Sequence, residues 1–131
     1  MKKHGILHPE LAHLIASLGH TETLVVADAG LPIPACTPRI DLALIAGVPR
    51  FLQTVHAILD EFQVQEAVVA EEMPSTSPAA YQQLCAMLGA IPITLIPHEE
   101  FKQRTHHAKG IVRTGEFTQY ANVILIAGVV F

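Results

Sequence analysis

Short apolar runs alternate with longer stretches of helical periodicity along this chain. Between residues 9 and 18, leucine and isoleucine recur at intervals of three or four, which predicts an amphipathic helix that ends at Gly19. Ser77 and Pro78 are typical of the N-cap and first turn of another helix. The same reasoning predicts further helices over 51–62 and 99–104, and strands over 24–27, 40–44, 67–70, 93–96, 111–113 and 123–126. Because strands and helices alternate, the predicted fold class is α/β, with a central, largely parallel sheet flanked by helices.

The size and composition of the chain narrow its class. Its 131 residues fit a single domain over 1–131, and disorder is excluded because 50% of the residues are hydrophobic and only 15% are charged. The net charge of -4, with no basic run beyond Lys2 and Lys3, argues against a nucleic-acid partner. The longest apolar run, 123–131, is shorter than the ~20 residues of a membrane helix, so no membrane partner is expected. Mean hydropathy is +0.39, which predicts that some apolar surface is buried against other copies of the chain.

The two cysteines and the N-terminal residues give information on the cellular compartment of the protein. Cys36 and Cys85 are far apart and form no CxxC pair, so we expect buried, reduced thiols rather than a disulfide. The N-terminal sequence carries positive charge but lacks the apolar core of a signal peptide. Together these features predict a cytoplasmic protein.

Polar residues follow three of the predicted strands directly. Asp28, Glu71 and His98 each stand where an apolar run ends, and ligands bind at the carboxyl ends of the strands in an open parallel sheet. Each residue also has a structural reading. Asp28 fits a turn carboxylate that caps its own loop, Glu71 with Glu72 fits a helix start or a solvated face, and His98 fits the N-cap of the following helix.

The chain is rich in histidine, with eight residues, but none of them has the spacing of a metal site. No metal is therefore expected. His20 is the histidine that we single out, since it follows Gly19 at the end of the first helix, a few residues before the strand that leads to Asp28. An imidazole exchanges protons near neutral pH, which suits an acid/base catalyst. A helix-capping histidine without chemistry would look the same.

The segment 113–118 is dense in polar residues, and Tyr120 and Asn122 follow it before the apolar tail. Their fixed donors and acceptors suit the hydroxyl groups of a sugar, although a structural turn has the same composition. Dinucleotide, triphosphate and serine-hydrolase motifs are absent from the sequence.

Several blocks in order make the chain similar to a known family. It resembles the D-ribose pyranase and L-fucose mutarotase family, and the ribose branch in particular, over nearly its whole length. The blocks are MKKHGIL at the start, LGHTE at 18–22, VVADAGLPIP at 25–34, RIDLAL at 39–44, PHEEFK at 97–102, RTGEFTQYAN at 113–122 and AGVVF at the end. The chain departs from the family's usual residues at His8, where Asn is common, and at Gln119, where Pro is common.

The resemblance implies a cofactor-independent isomerase that interconverts the cyclic forms of a free reducing sugar. For the ribose branch the reaction is β-D-ribopyranose to β-D-ribofuranose, and the assembly is a homo-oligomeric ring, often a decamer of stacked pentamers. It implies His20 as the proton donor. The sugar-binding residues that it implies are Asp28, His98, Tyr120, Ala121 and Asn122, together with Lys102.

Ring opening of a sugar makes modest chemical demands. The anomeric hydroxyl loses a proton while the ring oxygen gains one, so a single acid/base and some hydrogen-bonding groups are sufficient. We expect His20 to protonate the ring oxygen, and Asp28 either to orient His20 or to bind a sugar hydroxyl. Whether one subunit supplies every group stays open. An alternative is a non-catalytic sugar-binding or regulatory subunit of an uptake system.

Overall fold

One six-stranded sheet with helices on both faces forms the frame of the protein. The computed structural model describes residues 1–131. The strands are β1 Thr23–Ala27, β2 Arg39–Asp41, β3 Val64–Ala70, β4 Ile93–Ile96, β5 Gly110–Arg113 and β6 Val123–Ala127. The helices are α1 Pro9–Ser17, α2 Phe51–Leu59, α3 Met73–Thr76, α4 Pro78–Leu88 and α5 His98–Thr105. The α/β prediction is confirmed, and α3 is an element that the sequence pattern did not reveal.

The strand order puts the ends of five strands on the same side of the sheet. The order is β2-β5-β1-β6-β3-β4, and every neighbouring pair is parallel except those that involve β6. Five strands therefore end at one edge, which we call the carboxyl edge, and β6 begins there. The opposite side, which we call the amino edge, holds the starts of β1 and β3 and the end of β6.

Alternation along the strands builds two cores, one on each face of the sheet. On β1, Leu24 and Val26 face the larger core, which α1, α2 and α4 cover. Val25 and Ala27 face a smaller core, which α5 covers through Phe101 together with the loop after β1. These four of the five residues of β1 are fully buried. Burial of one leucine or valine side chain contributes about 1.5–3 kcal/mol to the stability of the fold. The sheet therefore holds the loops at its edges in fixed positions.

The predicted strand over 40–44 is shorter than expected, because it ends at Asp41. The chain leaves the sheet there and folds back on itself, with the Leu44 amide donating to the Val48 carbonyl at 3.0 Å. Gly47, at a φ of 78°, makes this reversal possible without a Cβ clash. Leu44 and Ile45 are left exposed, so their apolar character does not reflect burial within one chain.

Ser77 and Pro78 are the N-cap and first residue of α4, as predicted. The Ser77 hydroxyl makes no capping bond and donates instead to the carbonyl of Gln119 at 2.8 Å, which ties α4 to the loop before β6. The prediction of buried cysteines is wrong. The cysteines are unpaired, as expected, but Cys36 is exposed and Cys85 only half-buried, so they do not act as core residues. None of the helices has the length and apolar character required to cross a membrane.

Candidate functional site

A cavity of about 600 Å³ opens at the carboxyl edge of the sheet. The loop after β1, the start of α5 and the loop between β5 and β6 form its walls. Its polar lining consists of Asp28, His98, Arg113, Glu116, Thr118, Gln119 and Tyr120. This volume and a wall of convergent polar groups are typical of a site for a small molecule.

Asp28 is held rigidly on one wall of the cavity. One carboxylate oxygen accepts hydrogen bonds from the amides of Gly30 at 2.9 Å and Leu31 at 2.8 Å, so the structural reading of a loop-capping carboxylate holds. The other oxygen accepts from the Asn122 side-chain amide at 2.8 Å. The Asp28 amide returns a bond to Asn122 Oδ1, also at 2.8 Å. A carboxylate oxygen has more than one acceptor position, so Oδ2 retains capacity for a ligand hydroxyl.

Asn122 itself lies behind Asp28 and does not line the cavity. Its exposed fraction is 1%, and both polar atoms of its side chain are used in the reciprocal pair with Asp28. The pair joins the end of β1 to the start of β6, which fixes the direction of the Asp28 carboxylate. Within one chain, Asn122 is therefore a support for a binding residue.

His98 and Tyr120 form an aromatic wall of the cavity. The two rings meet edge to face, with centroids 5.0 Å apart, and Phe101 stacks on His98 at 6.2 Å. The backbone amide of His98 donates to both carboxylate oxygens of Glu72 at 3.1 Å, so Glu72 satisfies the start of α5. His98 Nδ1 is buried without a hydrogen-bond partner, which leaves Nε2 as the ring nitrogen available to a ligand.

Tyr120 holds a backbone conformation that is rare for its residue type. Its φ is 60°, in the left-handed region, where a bulky side chain costs about 1–3 kcal/mol. Such residues concentrate at functional sites, where the surrounding structure enforces them. Here the neighbouring Ala121 is fully buried and anchors the segment in the core.

Glu116 organises the loop that forms the far wall of the cavity. Its Oε1 accepts from the amides of Phe117 and Thr118, both at 3.1 Å, and from the Thr118 hydroxyl at 2.9 Å. Its Oε2 accepts from the Phe51 amide at 3.2 Å, at the start of α2. Burial by itself would raise the pKa of Glu116, but the bonds from Thr118, Phe51 and Phe117 outweigh it and hold the pKa below the usual 4.5.

Arg113 ties the ends of three strands together beside the cavity. Its Nε donates to the carbonyl of Ala29, after β1, at 3.1 Å. Its Nη1 lies 3.1 Å from both carboxylate oxygens of Asp41, at the end of β2. The guanidinium therefore fixes the loop that carries Asp28, and its charge is balanced by Asp41.

His20 lies at the other side of the sheet. It occupies a turn before β1, in which the Glu22 amide donates to the Gly19 carbonyl at 3.1 Å. The five residues of β1 separate this turn from Asp28, a span of about 17 Å at ~3.3 Å per residue. His20 contacts Gln65 and is exposed, so within one chain it neither reaches the cavity nor contacts Asp28.

The remaining residues that the resemblance implies are divided between the cavity and its surroundings. Asp28, His98 and Tyr120 line the cavity together. Lys102 lies on α5 outside the lining and pairs with Glu99, its Nζ lying 2.6 Å from Oε1. The side chain of Ala121 is buried away from the cavity.

Sequence reasoning missed the individual roles of Arg113, Glu116 and Glu72. The signal for the first two was present in the polar density of 113–118, but the sequence did not show which side chains face inward. The sequence gave no signal for the contact between Glu72 and the start of α5, because the two are 26 residues apart along the chain. The structure contains no cluster of three or more His, Cys, Asp or Glu side chains arranged for a metal ion.

The fold and the cavity define an α/β protein with a small-molecule site at the carboxyl edge of its sheet, built from a carboxylate, an imidazole and a phenol. The family model described as the RbsD / FucU transport protein family matches residues 1–130, and the chain belongs to this family. This finding confirms the resemblance noted in the sequence.

Individual relatives are similar over their full length. The D-ribose pyranase of Geobacillus kaustophilus is 50% identical over 131 residues, which cover 100% of this chain and 96% of the relative. Bacillus subtilis RbsD, solved in complex with D-ribose, matches with a TM-score of 0.97 and 45% identity over 100% of both chains. The fucose mutarotase of Streptococcus pneumoniae, solved with L-fucose, matches with a TM-score of 0.83 and 26% identity over 95% of each chain.

Proposed function

We propose that this protein is a cofactor-independent isomerase that converts β-D-ribopyranose to β-D-ribofuranose. The observation that carries the proposal is full-length similarity, at about half of all positions, to proteins named D-ribose pyranase. The cavity agrees with this function, since its polar lining offers acceptors and donors for several hydroxyl groups of a pentose.

In this proposal Asp28, His98 and Tyr120 bind the sugar. Asp28 Oδ2 accepts from one sugar hydroxyl, while His98 Nε2 and the Tyr120 hydroxyl bind others. Asn122 acts through Asp28, whose carboxylate it holds at 2.8 Å. Because these groups are rigid before the sugar arrives, little ordering is required on binding.

His20 is the proposed acid/base, and we propose that it acts on the sugar in the cavity of a neighbouring protomer. Its distance from Asp28 in one chain supports a site shared between subunits. In opening, His20 gives a proton to the ring oxygen while the anomeric hydroxyl gives its proton to water. In closing, a different hydroxyl attacks the aldehyde carbon and returns its proton to His20, and water protonates the carbonyl oxygen, so the proton count balances.

Exposed apolar residues at both edges of the sheet support a head-to-tail assembly. Phe117 lines the cavity and has an exposed fraction of 72%, and Leu44, which follows β2 at the same edge of the sheet, has an exposed fraction of 76%. Val130 and Phe131 extend from the end of β6 at the amino edge and are also exposed. A contact between two different surfaces repeats from protomer to protomer and closes into a ring when the rotation permits. A ring-shaped homo-oligomer, with a decamer of stacked rings as its complete form, is our proposal.

A complementation experiment tests the shared site. His20→Ala and Asp28→Asn should each lower the rate of pyranose–furanose exchange, by roughly 10²–10⁴-fold for His20→Ala, as measured by NMR saturation transfer. His13→Ala, an exposed histidine on α1, is the matched control and should keep full activity.

The two inactive variants are unfolded, mixed in equal amounts and refolded together. In some of the resulting interfaces, an intact Asp28 of one protomer meets an intact His20 of its neighbour. Random mixing in a ring would restore about a quarter of the sites. Full activity of His20→Ala would remove His20 from the mechanism. Inactive mixed oligomers would show that one chain supplies the whole site.

The alternative of a non-catalytic sugar-binding subunit makes a different prediction. It requires ribose binding without acceleration of exchange, so a rate that rises with catalytic amounts of protein excludes it. A panel that includes fucose decides between pyranase and mutarotase specificity. The cytoplasmic location stays a prediction, which cell fractionation would check.

A further inference from the structure

Strand β3 contains a β-bulge at Gln65, and the Gln65 side chain points toward His20. In the antiparallel pairing of β3 with β6, Glu66 lies opposite Ile126 and Val64 opposite Ala127, so Gln65 is an extra residue in β3. Such a bulge changes the direction of a side chain at the end of a strand. Here the Gln65 side chain reaches His20, and its Oε1 lies 2.8 Å from His20 Nε2.

The partner atom in this contact limits which tautomer of His20 can form the hydrogen bond. An amide oxygen has no hydrogen to donate, so Nε2 of His20 must be the donor in the bond to Gln65 Oε1. In the neutral ring the other nitrogen, Nδ1, is then the acceptor. The bond to Gln65 is the one hydrogen bond that the His20 ring makes in the chain.

We propose that Gln65 is a positioning residue, which holds His20 with Nε2 protonated so that Nδ1 exchanges the proton with the sugar. The inference rests on the proposed function, since it assigns a nitrogen within the acid/base described above. It also accounts for the bulge in β3. With regular pairing, successive side chains would alternate across the sheet and Gln65 would take another direction.

Both partners of the hydrogen bond are anchored on the end of β6. On the His20 side, the Thr21 amide donates to the Ala127 carbonyl, and the Ala127 amide donates to the Glu22 carbonyl, both at 2.9 Å. Thr21 has a φ of 70°, a left-handed conformation that a β-branched residue adopts only when it is enforced. The turn that carries His20 is therefore fixed from both sides.

On the Gln65 side, Gly128 packs closely against the bulge. A Cβ on Gly128 would lie 3.1 Å from the Gln65 Cβ and 3.3 Å from its amide nitrogen, so only glycine allows this approach without displacement. The Gly128 amide also donates to the Gln63 carbonyl at 2.9 Å. The backbone that carries Gln65 is thus held by the residue directly after β6.

Glu22, the carboxylate in the same turn as His20, is bound to other partners. Glu22 Oε1 lies 2.8 Å from Lys109 Nζ, and Glu22 Oε2 accepts from the Gly19 amide at 2.9 Å. The bond from Lys109, followed by that from Gly19, lowers the pKa of Glu22. The Glu22 carboxylate therefore stays ionised and paired with Lys109. Gln65 is therefore the acceptor that sets the orientation of the ring.

The test measures the protonated nitrogen of His20 directly, together with catalysis. Protein labelled with ¹⁵N-histidine is examined by solid-state NMR without sugar, and the His20 signals are assigned by their loss in His20→Ala. Wild type is expected to show Nε2 protonated in the neutral ring. Gln65→Leu, which has similar volume but no acceptor, should give a mixture of both tautomers and lower kcat about 10-fold or more with little change in KM.

Gln65→Glu retains an acceptor and should restore both the Nε2-protonated form and most of kcat. Gln53→Leu, at an exposed position of α2, is the control for loss of a surface amide and should leave both readouts unchanged. The proposal is overturned if Gln65→Leu keeps the wild-type tautomer and kcat, or if wild type carries its proton on Nδ1. Absence of exchange activity in wild type would refute the proposed function, and the tautomer measurement would still decide the role of Gln65.

Discussion

The Glu116 carboxylate connects the stability of the fold to the shape of the cavity, and Glu116→Gln isolates its effect. The substitution keeps the volume of the side chain but replaces one oxygen with an NH₂ group. If the amide oxygen takes the Oε1 position, it retains the three bonds from Phe117 and Thr118. The NH₂ group then faces the Phe51 amide, where Oε2 accepted at 3.2 Å, and two donors oppose each other.

The cost follows from these contacts. One buried donor loses its partner, at about 1–3 kcal/mol, and three bonds lose the charge that strengthens them. We expect the free energy of unfolding to fall by about 3 kcal/mol, which lowers Tm by ~10 °C for a domain of this size. Because the wall of the cavity loosens as well, KM for ribose should rise.

Urea or thermal denaturation at a fixed protomer concentration measures the loss, and NMR saturation transfer measures KM. Glu71→Gln is the control, since that exposed side chain makes no hydrogen bond and should change stability by less than about 0.5 kcal/mol. Equal stability and equal KM for Glu116→Gln and wild type would refute the argument.

The pH dependence of stability gives a second check on Glu116. Its pKa is lower in the folded state than the usual 4.5, so its stabilising contribution is complete above 4.5 and is lost as pH falls through the folded-state pKa. The stability difference between wild type and Glu116→Gln should therefore be largest at neutral pH and should narrow below 4.5. A constant difference across this range would contradict the assignment.

Two further substitutions test the backbone and the carboxylate pair. Gly115→Ala should destabilise the protein by about 1–3 kcal/mol, because the new Cβ would lie 2.5 Å from the carbonyl oxygens of Ile45 and Val48. These are backbone atoms, so no rotamer change relieves the clash. A Tm equal to that of wild type would contradict this prediction. Asn122→Asp places a second carboxylate beside Asp28. The repulsion between the two negative charges should make the variant less stable than wild type at neutral pH, and the deficit should shrink as the pH is lowered and the charge is neutralised. Denaturation across the pH range measures this, and a deficit that does not shrink in acid would count against the pairing.

The sequence predicted the edge of the sheet where the cavity lies, because strand ends are legible from hydrophobic runs. Asp28 and His98 were expected there on that basis, and both line the cavity. The support for Asp28 was not legible, since Asn122 is 94 residues away and the pairing depends on β6 lying next to β1. The sequence pattern does not determine which strands are neighbours.

The position of His20 illustrates a different limit. It is close to Asp28 along the chain, and that closeness suggested that the two could act together. The predicted strand between them already implied the opposite, because residues before and after a strand lie at opposite edges. In our proposal the missing information is a neighbouring protomer, which the sequence does not describe. The apolar Leu44 was read as part of a strand, although it lies beyond the end of β2 and is exposed.

Thr21 and Tyr120 both have a left-handed backbone conformation; Thr21 follows His20 directly, and Tyr120 is itself one of the proposed sugar-binding residues. Each left-handed conformation costs about 1–3 kcal/mol. The two together remove a sizeable share of the free energy of unfolding, which is about 5–15 kcal/mol for a typical domain. A laboratory selection for heat resistance alone would reach these two positions early and would favour glycine or asparagine there. The same selection would discard the phenol of Tyr120, so heat-resistant descendants obtained without a screen for turnover should accumulate inactive proteins.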